Sequence, residues 1–446
     1  MTRDRTRLTT AVLALVVVLA GCGAPVAQSP VAPSTETPPT ASPSTPTPPN
    51  ANSQSITVRN GSLSVDPDAV FERVQALQGT DVDPPRVIRA YNSIEAFRNR
   101  SRAVGTDVSR RFYTLAGMDD DEVNVTERVT RQKNGYVTGL GSIVLFVGEN
   151  ASTVEELLLV AHELTHYVQL QTGRQQRLIE AVGGAATTDQ RYAVRAVIEG
   201  GAVVTTNAYL DAYADTSVTN SEMYTGLQSA LPDGHIAAYE NSKYVTGDAY
   251  MDSRSDTPSD LAAVYDSPPT TSEQLLHRLP PDAEPPTPLS VTVETGEPWV
   301  TSGADRMGEA FVRTALEGAV GPERAAAAAA GWGNDTVRFL RPTDGAGETA
   351  FVWTLRFDDA TNQSEFQTAY RGSLDQRGTR IDDRWTLDDN VSAGMYAPTD
   401  RTSVVVFGPQ SLVETVSASG GSGEVTVSTL ANSPDRSRAN ATDRNE

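Results

Sequence analysis

The stretch "LLLVAHELTHYVQL", residues 157–170, holds two of the four histidines in a chain of 446 residues. Thr153 followed by Glu156 has the form of a capping box, and Gly173 stands where a helix-closing glycine belongs. Together they predict a helix from about Val154 to Thr172. On such a helix His162 and His166 lie one above the other on one face, so both imidazoles can address one ion. Glu163 is turned by about 100° and can reach a third partner, a water, from the side. Leu157, Leu158, Val160 and Leu164 are left to bury the rest against a core. A zinc ion in such a place takes three protein ligands and keeps one position open; the water it activates becomes acidic enough to attack a carbonyl near neutral pH.

The third ligand decides the subclass. A metzincin needs a glycine three residues and a histidine six residues after His166, and this chain has Gln169 and Thr172 there. That option fails. The carboxylates downstream are Glu180, Asp189 and Glu199. The segment "TTDQRYAVRAVIEGGAVVTTNAYLDAY" (187–213) reads as a second helix whose Val194, Val197, Ile198 and Ala202 suit burial. Glu199 stands in the middle of that apolar run, where an ionised carboxylate is costly unless paired or bound to metal. Gly200 and Gly201 beside it let another helix approach closely. Glu199 is the expected third ligand, with Glu180 as the alternative.

The rest of the chain sets the context. A formal charge of −21, with no basic stripe, argues against nucleic acid as a partner. Two lysines, Lys133 and Lys243, stand against 57 acidic residues, a balance that resembles proteins of salt-loving archaea. Cys22 is the single cysteine, so no internal disulfide forms. Residues 1–22 carry Arg3, Arg5 and Arg7 before an apolar run from Ala11 to Ala20, which reads as a signal peptide. The ending Leu19-Ala20-Gly21-Cys22 resembles the lipobox of prokaryotic lipoproteins, making Cys22 the expected lipidation site and the cell surface the expected location.

Residues 23–54, rich in Pro, Ser and Thr, read as an extended stalk. A first folded domain is expected over 55–282. It holds a helix over "DPDAVFERVQALQG", a strand over "PPRVIRAY", a helix around Ile94–Val104 and one or two strands in 135–150. "DGHIAAYENSKYVTGDAYMDSRSD" (233–256) looks irregular, with His235 in a loop. The Pro-rich stretch 279–290 marks a boundary. A second, smaller domain over 290–432 alternates helical and strand patterns, as in an α+β layer with helices on one sheet face. Residues 433–446 form a polar tail.

"VAHELTHYVQLQ" followed by "AVIEGGAVVTT" resembles the gluzincin group of zinc metallopeptidases. Within it the chain is most similar to an uncharacterised prokaryotic set with an H-E-L-T-H element, a V-E-G element and a late S-T-E-Q-x-L-H element. The last appears here as Thr271-Ser272-Glu273-Gln274-Leu275-Leu276-His277, and "GWGND" around Trp332 is a further likeness. The likeness spans about residues 140 to 360. It departs at Val203, where the thermolysin-like helix carries an aspartate, and at Gly201 and Arg278. It implies an α+β fold with a zincin-like catalytic domain ahead of the smaller domain, one Zn2+ on His162, His166 and Glu199, and Glu163 as general base. It implies His277 as oxyanion stabiliser, with a structural His277 beside Glu273, or Tyr209 or Tyr213 in that role, as alternatives. Ile143–Val147 would be the edge strand that aligns an extended substrate, or a plain core strand. The expected function is a membrane-tethered extracellular metallopeptidase acting on peptide or protein, its oligomeric state open. The alternative is a metal-binding surface lipoprotein that cuts nothing.

Overall fold

The computed structural model describes residues 55–93, 107–121, 123, 135–139, 141–148, 150–345, 347–388, 390–421 and 423–430. The expected signal segment with its lipobox, the stalk, the helix near Ile94–Val104 and the tail from 433 lie outside the described residues. Among the described residues no helix is long and apolar enough to cross a membrane.

Strand β1 (Thr57–Arg59) leads into helix α1 (Pro67–Gln78). Asp66 caps α1 by accepting from the Asp68 and Ala69 amides, and Gly79 closes it at φ 60°, a left-handed position that suits glycine. Then come β2 (Val87–Tyr91), α2 (Asp107–Ala116), β3 (Gly135–Val137), β4 (Ile143–Phe146) and α3 (Thr153–Gln171). The four strands form one sheet in the order β1-β2-β4-β3, parallel except for β3, which runs antiparallel to β4. Ile143 and Leu145 face the core under α1 and α3, while Val144 and Phe146 pack with Tyr91 and Tyr136 on the other face. An all-apolar strand suits a place covered on both faces and paired on both sides. The edges of this sheet are β1 and β3, and Ile143–Val147 lies inside it.

Helices α4 (Arg174–Ala181), α5 (Thr188–Tyr213), α6 (Asn220–Ala230), α7 (Ile236–Asp252), α8 (Ala262–Asp266) and α9 (Ser272–Leu276) follow. The α5–α7 crossing is set by glycine: a Cβ on Gly200 would stand 2.2 Å from the Gly247 carbonyl carbon, and one on Gly247 would stand 1.9 Å from the Ala196 oxygen. Helix α7 occupies the segment expected to be irregular. It buries Tyr239, Asn241, Lys243, Tyr244 and Tyr250 together, so no apolar stripe marks it. Its N-cap is the His235 imidazole, whose Nδ1 accepts from the Ala237 amide at 2.9 Å, a cap that the usual Ser, Thr, Asn or Asp signal does not cover.

The later chain runs β5 (Ser290–Glu294), β6 (Trp299–Asp305), α10 (Glu309–Val320), α11 (Pro322–Ala329), β7 (Trp332–Pro342), β8 (Ala350–Phe357) and α12 (Ala360–Arg377). It ends with β9 (Thr379–Ile381), β10 (Arg384–Thr386), β11 (Ser392–Thr399), β12 (Thr402–Gly408), α13 (Gln410–Val413), β13 (Ser417–Gly421) and β14 (Glu424–Ser428). An antiparallel seven-stranded sheet, β6-β7-β8-β12-β11-β10-β9, carries helices on one face and the small sheet β13-β14-β5 on the other. Interior strand β8 serves both by its period of two: Phe351, Trp353 and Leu355 face the helices, Ala350 and Val352 the small sheet.

The whole is a mixed α+β fold with several sheets. The largest apolar core passes across the expected boundary between 282 and 290. Phe112 of α2 stacks on Phe311 of α10 at 5.6 Å and meets Trp353 edge-on at 5.6 Å. The Tyr370 hydroxyl donates to the Ala116 carbonyl at 2.9 Å. Helix α2 thus completes the helical layer of the later sheet, and the Pro-rich stretch links two parts that share a core.

Candidate metal centre

Helix α3 begins one residue earlier than its sequence suggests. Ser152 and Glu155 make the reciprocal cap, with the Ser152 amide donating to Glu155 at 2.8 Å and the Glu155 amide donating back to the Ser152 hydroxyl at 3.3 Å. Such a cap contributes about 1 kcal/mol. Glu156 is instead drawn down to Ser64, whose amide and hydroxyl donate to it at 2.6 and 2.8 Å. Gly173, at φ 69°, turns the chain out of α3 into α4.

From this helix and α5, three side chains converge. His162 Nε2 lies 3.1 Å from His166 Nε2 and 3.3 Å from Glu199 Oε2, and His166 Nε2 lies 3.1 Å from the same oxygen. Ligand atoms at ~2.0–2.1 Å around a tetrahedral ion stand roughly 3.3 Å apart. All three residues are buried, and among the described residues they are the one group of His, Cys, Asp or Glu spaced to hold a metal ion.

The surroundings dictate which atoms face inward. His166 Nδ1 lies 2.8 Å from Gln169 Oε1. The amide nitrogen of Gln169 donates to the Ile198 carbonyl and to the Tyr265 hydroxyl, both at 2.8 Å, so its oxygen is the end turned to the imidazole. His162 Nδ1 lies 3.1 Å from Asn220 Oδ1. Both histidines therefore carry their proton on Nδ1 and turn a lone pair inward at Nε2. Two imidazole lone pairs and a carboxylate oxygen packed this closely repel one another unless a cation, whether a metal ion or an added proton, stands among them. The donor set fits a divalent metal.

Glu199 shares its other oxygen. Arg195, one turn earlier on α5, donates from Nε to Glu199 Oε1 at 3.1 Å. Burial works against ionisation of Glu199, but positive charge shared with the histidine pair on one side and with Arg195 on the other outweighs it and holds the carboxyl well below the usual range. Gly201 completes the arrangement: a Cβ there would stand 2.0 Å from the Tyr265 hydroxyl that orients Gln169. Tyr224 and Tyr244, stacked at 4.1 Å, line the His162 ring.

Glu163 is 1% exposed and lies against the edge strand β3. A Cβ on Gly135 would stand 2.3 Å from its Oε1, so glycine at that point of the strand leaves the carboxylate its place.

The other sequence candidates go elsewhere. Glu180 is exposed on α4 and accepts from Gln176. The Tyr209 hydroxyl accepts from Arg73 at 3.4 Å, and Tyr213 is exposed. His277, expected as oxyanion stabiliser, points its Nε2 at both oxygens of Glu309, at 2.9 and 3.0 Å, and so commits that proton to α10 rather than to the His162–His166–Glu199 group. Its partner is Glu309, not Glu273 one turn earlier. The hydrogen bond to Glu309 pushes the imidazole up; burial pushes the Glu309 carboxyl up against that same bond.

"TSEQLLH" and "GWGND" build a buried acidic junction instead. Asp189, at the start of α5, accepts from the Ser272 amide and hydroxyl at 2.8 and 2.7 Å and pairs with Arg306 at 3.2 Å. Asp335 accepts from the Met307 and Gly308 amides and from the indoles of Trp332 and Trp353. Burial pushes Asp335 up to about 6. Burial, together with the neighbouring Glu309, Glu284, Asp358 and Asp189, pushes Glu273 up to about 9.

Sequence reasoning missed Gln169, Arg195 and Asn220. The first two had a signal, since they stand three and four residues from a ligand on the same helix. Asn220 had none, because α6 brings it from a separate part of the chain.

Comparison with known proteins adds little at this centre. Residues 297–417 match the family model "Domain of unknown function (DUF8575)", a stretch from just before β6 to the first residue of β13 that contains none of the converging residues. The chain is 30% identical over 112 residues to the Holliday junction branch migration complex subunit RuvB of Chlorobaculum parvum, covering 23% of this chain. It spans about a third of the length of that curated relative. No solved structure matches.

Proposed function

We propose that this chain is a zinc-dependent peptidase held at the outer face of the cytoplasmic membrane by a lipid on Cys22. The observation that carries the reading is the convergence of His162 Nε2, His166 Nε2 and Glu199 Oε2, with both Nδ1 protons fixed outward by Gln169 and Asn220. The resemblance of "HELTH" and "VIEGG" to gluzincins supplies the choice of zinc and of peptide substrates. When bound, zinc supplies a Lewis acid that lowers the pKa of a water and polarises a carbonyl. His162, His166 and Glu199 hold it. Glu163, the next residue after the first ligand, takes a proton from the attacking water and passes it to the leaving amine. Its burial against Gly135 fixes the carboxylate and keeps bulk water away from it. The acidic charge of the chain opposes nucleic acid, and a partial likeness to a DNA-processing subunit does not alter that balance.

A second reading is a metal-binding surface lipoprotein that cuts nothing. It is favoured by the enclosure of the centre: His162 is 3% exposed, and Glu163, His166 and Glu199 are 1% exposed each. One comparison separates the two. Wild type and Glu163→Gln are assayed in molar salt for zinc content and for cleavage of casein and peptides. The peptidase reading expects equal zinc in both, and cleavage falling about 10²–10⁴-fold in the variant. Stoichiometric zinc with no cleavage by wild type favours the binding lipoprotein.

A further inference from the structure

Three ligands suffice to hold a divalent ion, yet a further charged group is built into this centre. The Arg195 side chain is 8% exposed, and its Nε stands 3.1 Å from Glu199 Oε1, the oxygen turned away from the histidines. The other oxygen, Oε2, is the one within 3.1–3.3 Å of both imidazoles. Oε1 is thus taken by Arg195, and Oε2 is left on the side where a cation would stand among the imidazoles. A guanidinium in a dry site next to a divalent cation is electrostatically unfavourable, so a protein selected only to hold metal gains by replacing it with a neutral donor.

We propose that Arg195 is a positioning residue of the metal centre. By occupying Oε1 it makes Glu199 a one-oxygen ligand through Oε2. By drawing charge out of the carboxylate it keeps a bound divalent ion electron-poor and short of ligands, at the expense of affinity. This inference rests on the metal-binding reading above and deepens it: a centre tuned this way favours Lewis-acid chemistry over storage.

The test uses the full chain loaded with Co2+, whose visible absorption is intense with four ligands and weak with five or six, and a chelator competition for Zn2+. In Arg195→Met the freed Oε1 turns inward and the repulsion between guanidinium and metal is lost, so the absorption per cobalt falls at least about threefold and zinc binds about tenfold tighter. Arg195→Lys keeps the charge and one donor, and is expected to retain the wild-type spectrum and affinity within about threefold. It carries the test alone if the methionine variant does not fold. A folded methionine variant with an unchanged spectrum and affinity overturns the proposal, as does a lysine variant that loses the intensity or binds zinc tenfold tighter. Wild type that takes up neither ion removes the metal-binding reading itself, a result distinct from unaltered binding in the variants.

Discussion

Helix α5 carries two fully buried carboxylates ten residues apart, and the fold treats them in opposite ways. Glu199 is 1% exposed and Asp189 is 0% exposed. Burial pushes both toward the neutral form. At Glu199 two imidazoles and Arg195 overcome it, and the carboxyl is held well below its ordinary range. At Asp189 one arginine and one serine do not, with Asp305 adding like charge, and the carboxyl stays raised. Depth does not decide whether a buried acid is ionised; the count and sign of its neighbours do. The first environment offers a charged oxygen to a cation. The second suits a carboxyl that holds neighbouring parts of the chain together through N–H and O–H donors.

The difference can be broken most severely at Glu199. Replacing it by alanine leaves Arg195 buried without its carboxylate and removes one converging acceptor. Glu199→Ala is expected to abolish stoichiometric zinc and to lower unfolding free energy by about 3–5 kcal/mol, read from urea titration of chelated protein. A variant that keeps full zinc affinity removes Glu199 from the ligand set.

The junction should respond with the opposite sign. A carboxyl raised to about 9 in the folded chain contributes stability that is complete below its unfolded pKa and is lost as pH rises toward 9. Glu273→Gln removes that loss. Its unfolding free energy from urea titration should match wild type near pH 4 and exceed it increasingly above, by more than about 1 kcal/mol at pH 8. A gap that stays flat with pH would show Glu273 to be ionised in the fold. The smallest effect belongs to the His277–Glu309 pair. The imidazole side chain is 45% exposed, so solvent screens it. Because its pKa is raised, its contribution is present below the ordinary imidazole range and fades as pH rises through the folded value. His277→Gln should therefore cost under about 1 kcal/mol, at acid pH only, in the same titration.

Much of the secondary structure was legible because it rests on local chemistry. Asp66 and Gly79 bracket α1, and the alternation of Phe351, Val352 and Trp353 marks a strand covered on both faces. The capping of α3 was misplaced by one residue, because Ser64, distant in sequence, takes Glu156. Helix α7 stayed hidden, since polar and aromatic residues bury together where glycine lets two helices touch. The same division runs through the metal centre.

By itself the sequence determined that His162 and His166 share a helix face with Glu163 beside them, and that a carboxylate at Glu199 inside an apolar helix needed a cationic partner. Those are consequences of a 3.6-residue period and of the cost of burying charge. Only the tertiary structure decided which nitrogen of each histidine faces inward, which oxygen of Glu199 is left to join them, and that His277 turns to Glu309. Those choices depend on Asn220, Gln169, Tyr265 and Arg195 arriving at set distances, and hydrogen bonds of about 3 Å are made or lost by packing that no local pattern encodes.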